Sequence, residues 1–404
     1  MTPRRAPSQP EFVAMIATLF ATIAFSIDAM LPALPQIAAT LTPEAPNRAQ
    51  LVVAAFVLGM GGGTLVMGPV SDALGRRPVI LGSAALYVLG AVVAWRSQTL
   101  DALLLGRVLQ GVGAAGPRVV AIAIVRDLYA GRTMARIMSL VMTVFIVFPA
   151  VAPLIGAGVI AVADWRAIFL LFVVFCVLSV GWLTLRQPET HPPEARRPVR
   201  AGLLAAAIGE MLSHRTVVTS IGAQTLAFAM LFAMISTVQP VFDQTYGRAG
   251  SFPIWFAAIA GVAASGSLLN AVIVERLGMR RIATTVLGLQ AAVSLGVAGA
   301  LWSGALGPGP EFALYVGWSA SVFLLVGLTI GNLNALAMEP LGHIAGLAAS
   351  VIGAVATIGA VLIAGPIGLA FDGTPRPVAL GVGLCAAGAF GLMLTLKDPA
   401  PARA

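Results

Sequence analysis

The sequence predicts an all-α integral membrane protein: twelve transmembrane helices in two pseudo-symmetric six-helix halves. Three observations carry that prediction. Charged residues are 10 % of the 404-residue chain, hydrophobic residues are 59 %, and the mean hydropathy is +0.95. A soluble domain carries about 25 % charge and could not cover so much apolar surface, and disorder is excluded for the same reason. Apolar runs of membrane length recur twelve times, and a short charged motif appears twice, about half a chain apart.

A membrane helix needs about 20 residues, so twelve of them use roughly 250 and leave short loops with no room for a soluble domain. The runs fall at 12–33, 49–69, 78–95, 101–124, 136–162, 165–185, 216–240, 252–274, 282–302, 312–337, 346–370 and 377–396. They must be helical, because hydrocarbon offers no partner to an unpaired amide. Arg4 and Arg5 precede a first run that is long and holds Asp28, which reads as an uncleaved span rather than a signal peptide. Residues 186–200, RQPETHPPEARRPVR, are charged and proline-rich, so 186–215 reads as a cytoplasmic linker between halves 1–185 and 216–404. The part of the linker that runs up to Arg215 suits a short interfacial helix.

The arginines orient the chain. With both termini cytoplasmic, that side holds 17 of the 24 basic residues, the other side holds five, and Arg107 and Arg118 lie within the fourth span. The net charge of +8 therefore follows topology and does not point to nucleic acid. Cys176 and Cys385 sit in apolar runs, so neither a disulfide framework nor a metal site is indicated. His191, His214 and His343 fall on the cytoplasmic side, which leaves no histidine in a span for a Ser-His protease. There is no HExxH pair, and Lys397 is the only lysine, so a Walker A loop is impossible. These absences argue against an enzyme and against direct ATP-driven pumping.

The halves echo each other in one loop. GPVSDALGRRP at 68–78 follows the second span, and AVIVERLGMRR at 271–281 follows the eighth. Asp72 matches Glu275, Gly75 matches Gly278, and Arg77 matches Arg280. Gly68 permits close helix approach, and Gly75 supplies the conformation a tight reversal needs. Asp72 can cap a turn or pair with an arginine, while Arg76 and Arg77 can hold helix-end carbonyls or nearby acids. A lone copy could be no more than positive-inside charge with turn glycines; a second copy indicates duplication. This run resembles the loop motif of major facilitator transporters. The resemblance implies their fold and gives Gly68, Asp72, Gly75, Arg76 and Arg77 a part in a lock that bridges the halves in the outward-facing state. Ala73 departs from the basic residue many members carry, which would weaken the lock.

Asp28 is the sharpest single residue. A carboxylate at membrane depth is costly and usually faces a cavity, and taking up a proton removes that cost, which suits proton exchange or binding of a cationic substrate. The bland alternative is an interfacial acid satisfied by a helix end. The string DAMLPALPQIAATL, with Pro32 and Pro35, resembles the bicyclomycin/chloramphenicol-resistance branch of drug:proton antiporters. By that resemblance Asp28 couples protons to export. Arg107, followed by Gln110, Gly111 and Gly113, resembles the span-4 motif in which an arginine tunes the acid's proton transfer. The plain alternative is that Arg107 snorkels to the outer face. Arg118 has no partner nameable from sequence and suits an anionic group. Arg126-Asp127 resembles the family's span-4 exit, where the acid meets the loop arginines, so Asp127 joins the lock. In FPAVAPLIGAG, Pro149, Pro153 and Gly156 favour a bend and close packing. That run resembles a degenerate form of the antiporter motif in span 5, with Ala152-Pro153 in place of the usual Gly-Pro.

ALAMEPLG at 335–342 matches the same branch. Asn332 and Asn334 could line a pathway or join helices, the latter being the commoner role. Phe25, Met30, Phe228 and Met234 are adaptable pocket candidates, although most such residues face lipid or pack. Together these readings imply proton-coupled multidrug efflux by alternating access. The implied partners are a drug-like small molecule, protons and the lipid bilayer. The proton gradient is the energy source, with no cofactor or metal, and the chain is expected to be monomeric. The expected location is a bacterial inner membrane. The alternative is a proton-coupled transporter of a small metabolite such as a sugar or an organic anion.

Overall fold

The computed structural model describes residues 7–145, 147–196 and 201–396. Arg4, Arg5, Arg197, Arg200, Lys397 and Arg403, all used in the orientation argument, lie outside them. The described chain is almost entirely helical. The helices are α1 Gln9–Asp28, α2 Leu34–Leu41, α3 Leu51–Leu74, α4 Arg76–Arg96, α5 Leu100–Leu128, α6 Gly131–Phe145, α7 Val147–Val162 and α8 Ala167–Arg186. They continue with α9 Ala201–Ser213, α10 Arg215–Pro240, α11 Phe252–Leu277, α12 Met279–Ser303, α13 Pro308–Met338, α14 Ala345–Leu369 and α15 Arg376–Leu394.

Eleven helical stretches among the described residues are long and apolar enough to cross a membrane. One of them, Pro308–Leu369, holds two spans, α13 and α14, joined by a 3₁₀ turn at Glu339–Ile344 in which Leu341 leaves helical geometry. Twelve membrane segments result, as the apolar runs predict. The chain forms two compact units, Met1–Arg200 with Arg248–Ala258, and Ala201–Gly247 with Ile259–Ala404.

Local rules explain the helix ends. Ser8 caps α1 by accepting from the Glu11 amide, and Thr99 caps α5 by accepting from Ala102. Gly75 and Gly278 have φ of +100° and +79°, a region open in practice to glycine alone, and each starts a new helix immediately after the last. The first span differs from its sequence reading. The helical stretch runs 33 residues, Gln9–Leu41, beyond the apolar run at 12–33, so Asp28, five residues from the end of that run, lies at a break inside the stretch. Pro32 and Pro35 sit at the first positions of new helical turns, where a missing N–H is tolerated. They break the segment after Asp28 without ending it.

In the first unit, α5 is wedged against α3 and α4 by glycines. A methyl group at Gly111 would lie 2.0 Å from the Phe56 carbonyl oxygen of α3, and one at Gly113 would lie 2.4 Å from the Tyr87 nitrogen of α4. With little hydrophobic force between helices in lipid, such backbone approach supplies packing energy. In the second unit, Gly288 meets the Phe390 ring and Gly383 meets Leu295, which brings α12 onto α15.

Candidate functional site: a carboxyl at a helix break

Asp28 is the last residue of α1 and is 5 % exposed. No hydrogen bond or ion pair reaches its carboxyl among the described residues. The helix geometry changes at this point. The Met30 amide turns to the Ile27 carbonyl, and Pro32 has no N–H to return to the Asp28 carbonyl. The Ser26 carbonyl is thereby left without its usual helical donor.

Arg107 fills that vacancy. It is fully buried and donates from Nη2 to the Ser26 carbonyl at 3.0 Å, from Nε to the Val52 carbonyl at 3.1 Å, and from Nη1 to Gln110 Oε1 at 2.7 Å. Its guanidinium also lies 4.4 Å from the Phe56 ring centre. Arg107 therefore does not snorkel. Part of its charge rests on the Ser26 carbonyl at the C-terminal end of α1, where the helix dipole favours a cation, the rest on the Val52 carbonyl in the first turn of α3 and on Gln110, and it makes no ion pair with Asp28. Ser26 is tied a second way. Its hydroxyl donates to the Thr22 carbonyl at 2.6 Å and so accepts from the Tyr87 hydroxyl at 2.5 Å.

The other flank of the break meets α7. A methyl group at Gly156 would lie 2.1 Å from the Ala29 carbonyl oxygen. Pro153 is buried one turn earlier and Pro149 is half-buried. Phe25, one turn before Asp28, lies against Phe172 and Phe175 of α8 with ring centres at 5.7 and 4.9 Å, and Phe148 of α7 joins Phe175 at 6.1 Å. Met30 is buried beside the break. Arg118 is half-buried on α5 and has no hydrogen-bond or ion-pair partner among the described residues.

The remaining substrate candidates belong to the second unit. Phe228 stacks on Phe232 at 5.8 Å, and Met234 is buried. Asn332 donates to Asn270 Oδ1 at 2.7 Å and to the Leu328 carbonyl at 2.8 Å, which joins α13 to α11. Gln290 and Trp318 both donate to the Ser294 hydroxyl, at 3.0 and 2.9 Å, in a neutral polar cluster that sequence reading missed.

The loop motif forms a charge network inside the first unit. Arg76 is 2 % exposed and grips Asp127 through Nε at 2.8 Å and Nη2 at 3.2 Å. Its Nη1 donates to Asp72 at 2.6 Å and to the Ser71 hydroxyl at 2.7 Å. Arg77 donates to the Thr184 carbonyl at the end of α8. Gly68 is half-buried in the last turns of α3. Glu189, unremarked in the sequence, supplies what Gly75 cannot: its two carboxylate oxygens accept from the amides of Arg76 and Arg77 at 3.0 and 2.9 Å, capping α4. Burial pushes the Glu189 carboxyl up, but amide hydrogen bonds from His191, Arg77, Arg76 and Thr190 outweigh it, so the group lies below its ordinary value.

The profile of the Major Facilitator Superfamily matches residues 14–366. The chain belongs to that superfamily. This superfamily member is 30 % identical over 333 residues to the uncharacterized MFS-type transporter YdgK of Bacillus subtilis, covering 81 % of each chain. It is 28 % identical over 386 residues to the bicyclomycin resistance protein homolog of Haemophilus influenzae, covering 93 % of each. It is 30 % identical over 241 residues to the multidrug resistance protein MdtL of Shigella dysenteriae, covering 58 % of this chain and 59 % of MdtL. Among solved structures it resembles a D-xylose-proton symporter, with a TM-score of 0.76 at 13 % identity, covering 95 % of this chain and 97 % of that one. It also resembles the human organic anion transporter MFSD10, with a TM-score of 0.63 at 16 % identity, covering 96 % of this chain and 100 % of that one. These likenesses fix the fold. The superfamily member is a multi-pass membrane transporter, and the bicyclomycin-resistance relative agrees with the branch that its first span and ALAMEPLG resemble.

Proposed function

We propose that the protein is a proton-coupled exporter of drug-like small molecules that works by alternating access, with Asp28 as its proton-exchanging group. The observation that carries this reading is the carboxyl itself. It is buried, free of any ion pair or hydrogen bond among the described residues, and placed at a break in the helix. Such a group is costly as an anion and inexpensive as an acid, so its charge follows proton supply. Arg107 holds the break from behind without neutralising the carboxyl, which leaves Asp28 open to a proton or to a substrate donor. Phe25 and Met30 supply apolar contact beside it. Phe228 and Met234 are the second unit's candidates, with Asn332 engaged to Asn270. Relatives named for bicyclomycin and multidrug resistance support the substrate class. The proton gradient is the energy source and no cofactor takes part. The protein sits as a monomer in the bacterial inner membrane with both termini cytoplasmic, a reading supported by the arginine bias.

One observation favours a second reading, transport of a small organic anion: Arg118 is a membrane-depth cation with no partner among the described residues. Drug susceptibility separates the two. Cells expressing the wild type should tolerate at least one compound of a broad panel that cells expressing Asp28→Asn, at matched levels, do not. Equal sensitivity to every compound would remove the proposal. Import of an anion that Arg118→Gln abolishes and Asp28→Asn spares would favour the second reading.

A further inference from the structure

The contact between α7 and the α1 break sets the environment of the coupling carboxyl. The break is gripped on two sides, three positions apart: Arg107 of α5 takes the Ser26 carbonyl, and Gly156 of α7 lies against Ala29, the residue after Asp28. The second grip has no slack. A side-chain carbon at Gly156 would meet the Ala29 carbonyl oxygen at 2.1 Å, its carbon at 2.9 Å and its Cα at 3.1 Å, all backbone atoms that cannot swing aside. By contrast, a methyl group at Gly158, on the same helix, would meet nothing within 4 Å. The two glycines of LIGAG thus differ in kind.

We infer that Gly156 is a positioning residue for Asp28: its bare backbone lets α7 press on the break and keep the carboxyl dry. The inference rests on the proposed proton role of Asp28. Pro153 sits one turn before Gly156 in the same helix, and Phe148 ties that helix to the Phe25 and Phe175 rings. A change in the course of α7 is therefore delivered to both sides of Asp28, at Ala29 and through the aromatic group at Phe25. Any Cβ at position 156 must push α7 off the break by about 1 Å to reach ordinary contact distance. Water then enters beside a carboxyl that is dry in the unaltered protein.

The test compares Gly156→Ala with Gly158→Ala in proteoliposomes, reading proton-gradient-driven drug exchange against pH. A hydrophobic carbodiimide provides a second readout through its rate of modification of Asp28. For Gly156→Ala the half-maximal pH should move acidward by about one unit and carbodiimide modification should fall several-fold. Gly158→Ala should match the wild type in both. A Gly156→Ala protein that folds and transports with an unchanged pH profile and unchanged labelling overturns the inference. If Gly156→Ala fails to fold, Gly156→Ser and a Pro153→Ala variant, which relaxes the same helix without adding bulk at the contact, must displace the pH profile or the inference falls. Asp28→Asn keeps the two claims apart. If it leaves the pH profile intact, the proton role itself is wrong. If it abolishes pH dependence while the α7 variants do nothing, only the positioning role is wrong.

Discussion

Gly75 and Gly278 occupy matching loops of the two halves and do the same work: each turns the chain at positive φ into a new helix. The next matched pair also agrees. Arg77 donates to the Thr184 carbonyl and Arg280 to the Leu396 carbonyl, so in both units an arginine clamps the end of the unit's final helix. The position between them differs. Arg76 in the first loop is buried and holds Asp72, Asp127 and Ser71, whereas Met279 stands in its place in the second. Glu275, the counterpart of Asp72, is exposed and makes no ion pair among the described residues. The repeat has kept its turn and its clamp in both copies and its charge network in one. The spans show the same asymmetry. Asp28, Arg107 and Arg118 belong to the first unit, while Asn270, Asn332, Gln290 and Ser294 give the second a neutral polar interior.

Substitutions can break that comparison in order of size. Removing Arg76 strands Asp127 and Asp72 together. Arg76→Ala should destabilise the purified protein by on the order of 3 kcal/mol, less than a fully buried pair because the Asp72 side chain is 46 % exposed. Met279→Ala should cost about 1 kcal/mol at its half-buried site. Thermal unfolding in one detergent checks both, and equal losses would erase the asymmetry. Gly75→Ala and Gly278→Ala should each cost about 2 kcal/mol, because the backbone constraint is common to both copies. A large difference between them would mean that the turns are not equivalent.

Glu189→Gln should cost about 1 kcal/mol, since an amide oxygen can serve only one of the two α4 amides. The pH dependence has a definite sign. The folded carboxyl lies below its ordinary value, so its contribution is complete above about pH 5 and lost as pH falls through the folded value. The stability gap between wild type and Glu189→Gln should close in acid; a gap that widens there would contradict the capping role. The smallest effect is at Glu275, where Glu275→Gln should change stability by less than about 0.5 kcal/mol.

The membrane class, the twelve segments and the repeated loop were legible because apolar length and duplicated motifs are properties of the sequence itself. Asp28 was legible for a related reason, being the lone acid in its run. Its surroundings were not. Arg107 could be picked out as a buried cation, but two of its three partners are backbone carbonyls, which every residue has, and the one at Ser26 is freed by a helix break. Glu189 looked like part of a solvated linker, since nothing near it in sequence shows the α4 amides it serves, 113 residues away from Arg76. Gly156 was legible as a bend residue, but its contact with the Ala29 backbone on α1 was not, since only packing shows it. Asn332 suggested either a pathway or a helix joint, and nothing near it in sequence shows Asn270, the partner it meets on another helix.

Proton release on substrate binding tests the central claim most directly. Purified protein in weakly buffered detergent solution is mixed with a drug to which it confers tolerance, and a pH indicator follows the solution. The wild type should release close to one proton per drug bound, and Asp28→Asn should bind the drug with no release. The same release from both proteins would show that the proton resides elsewhere and would contradict the account.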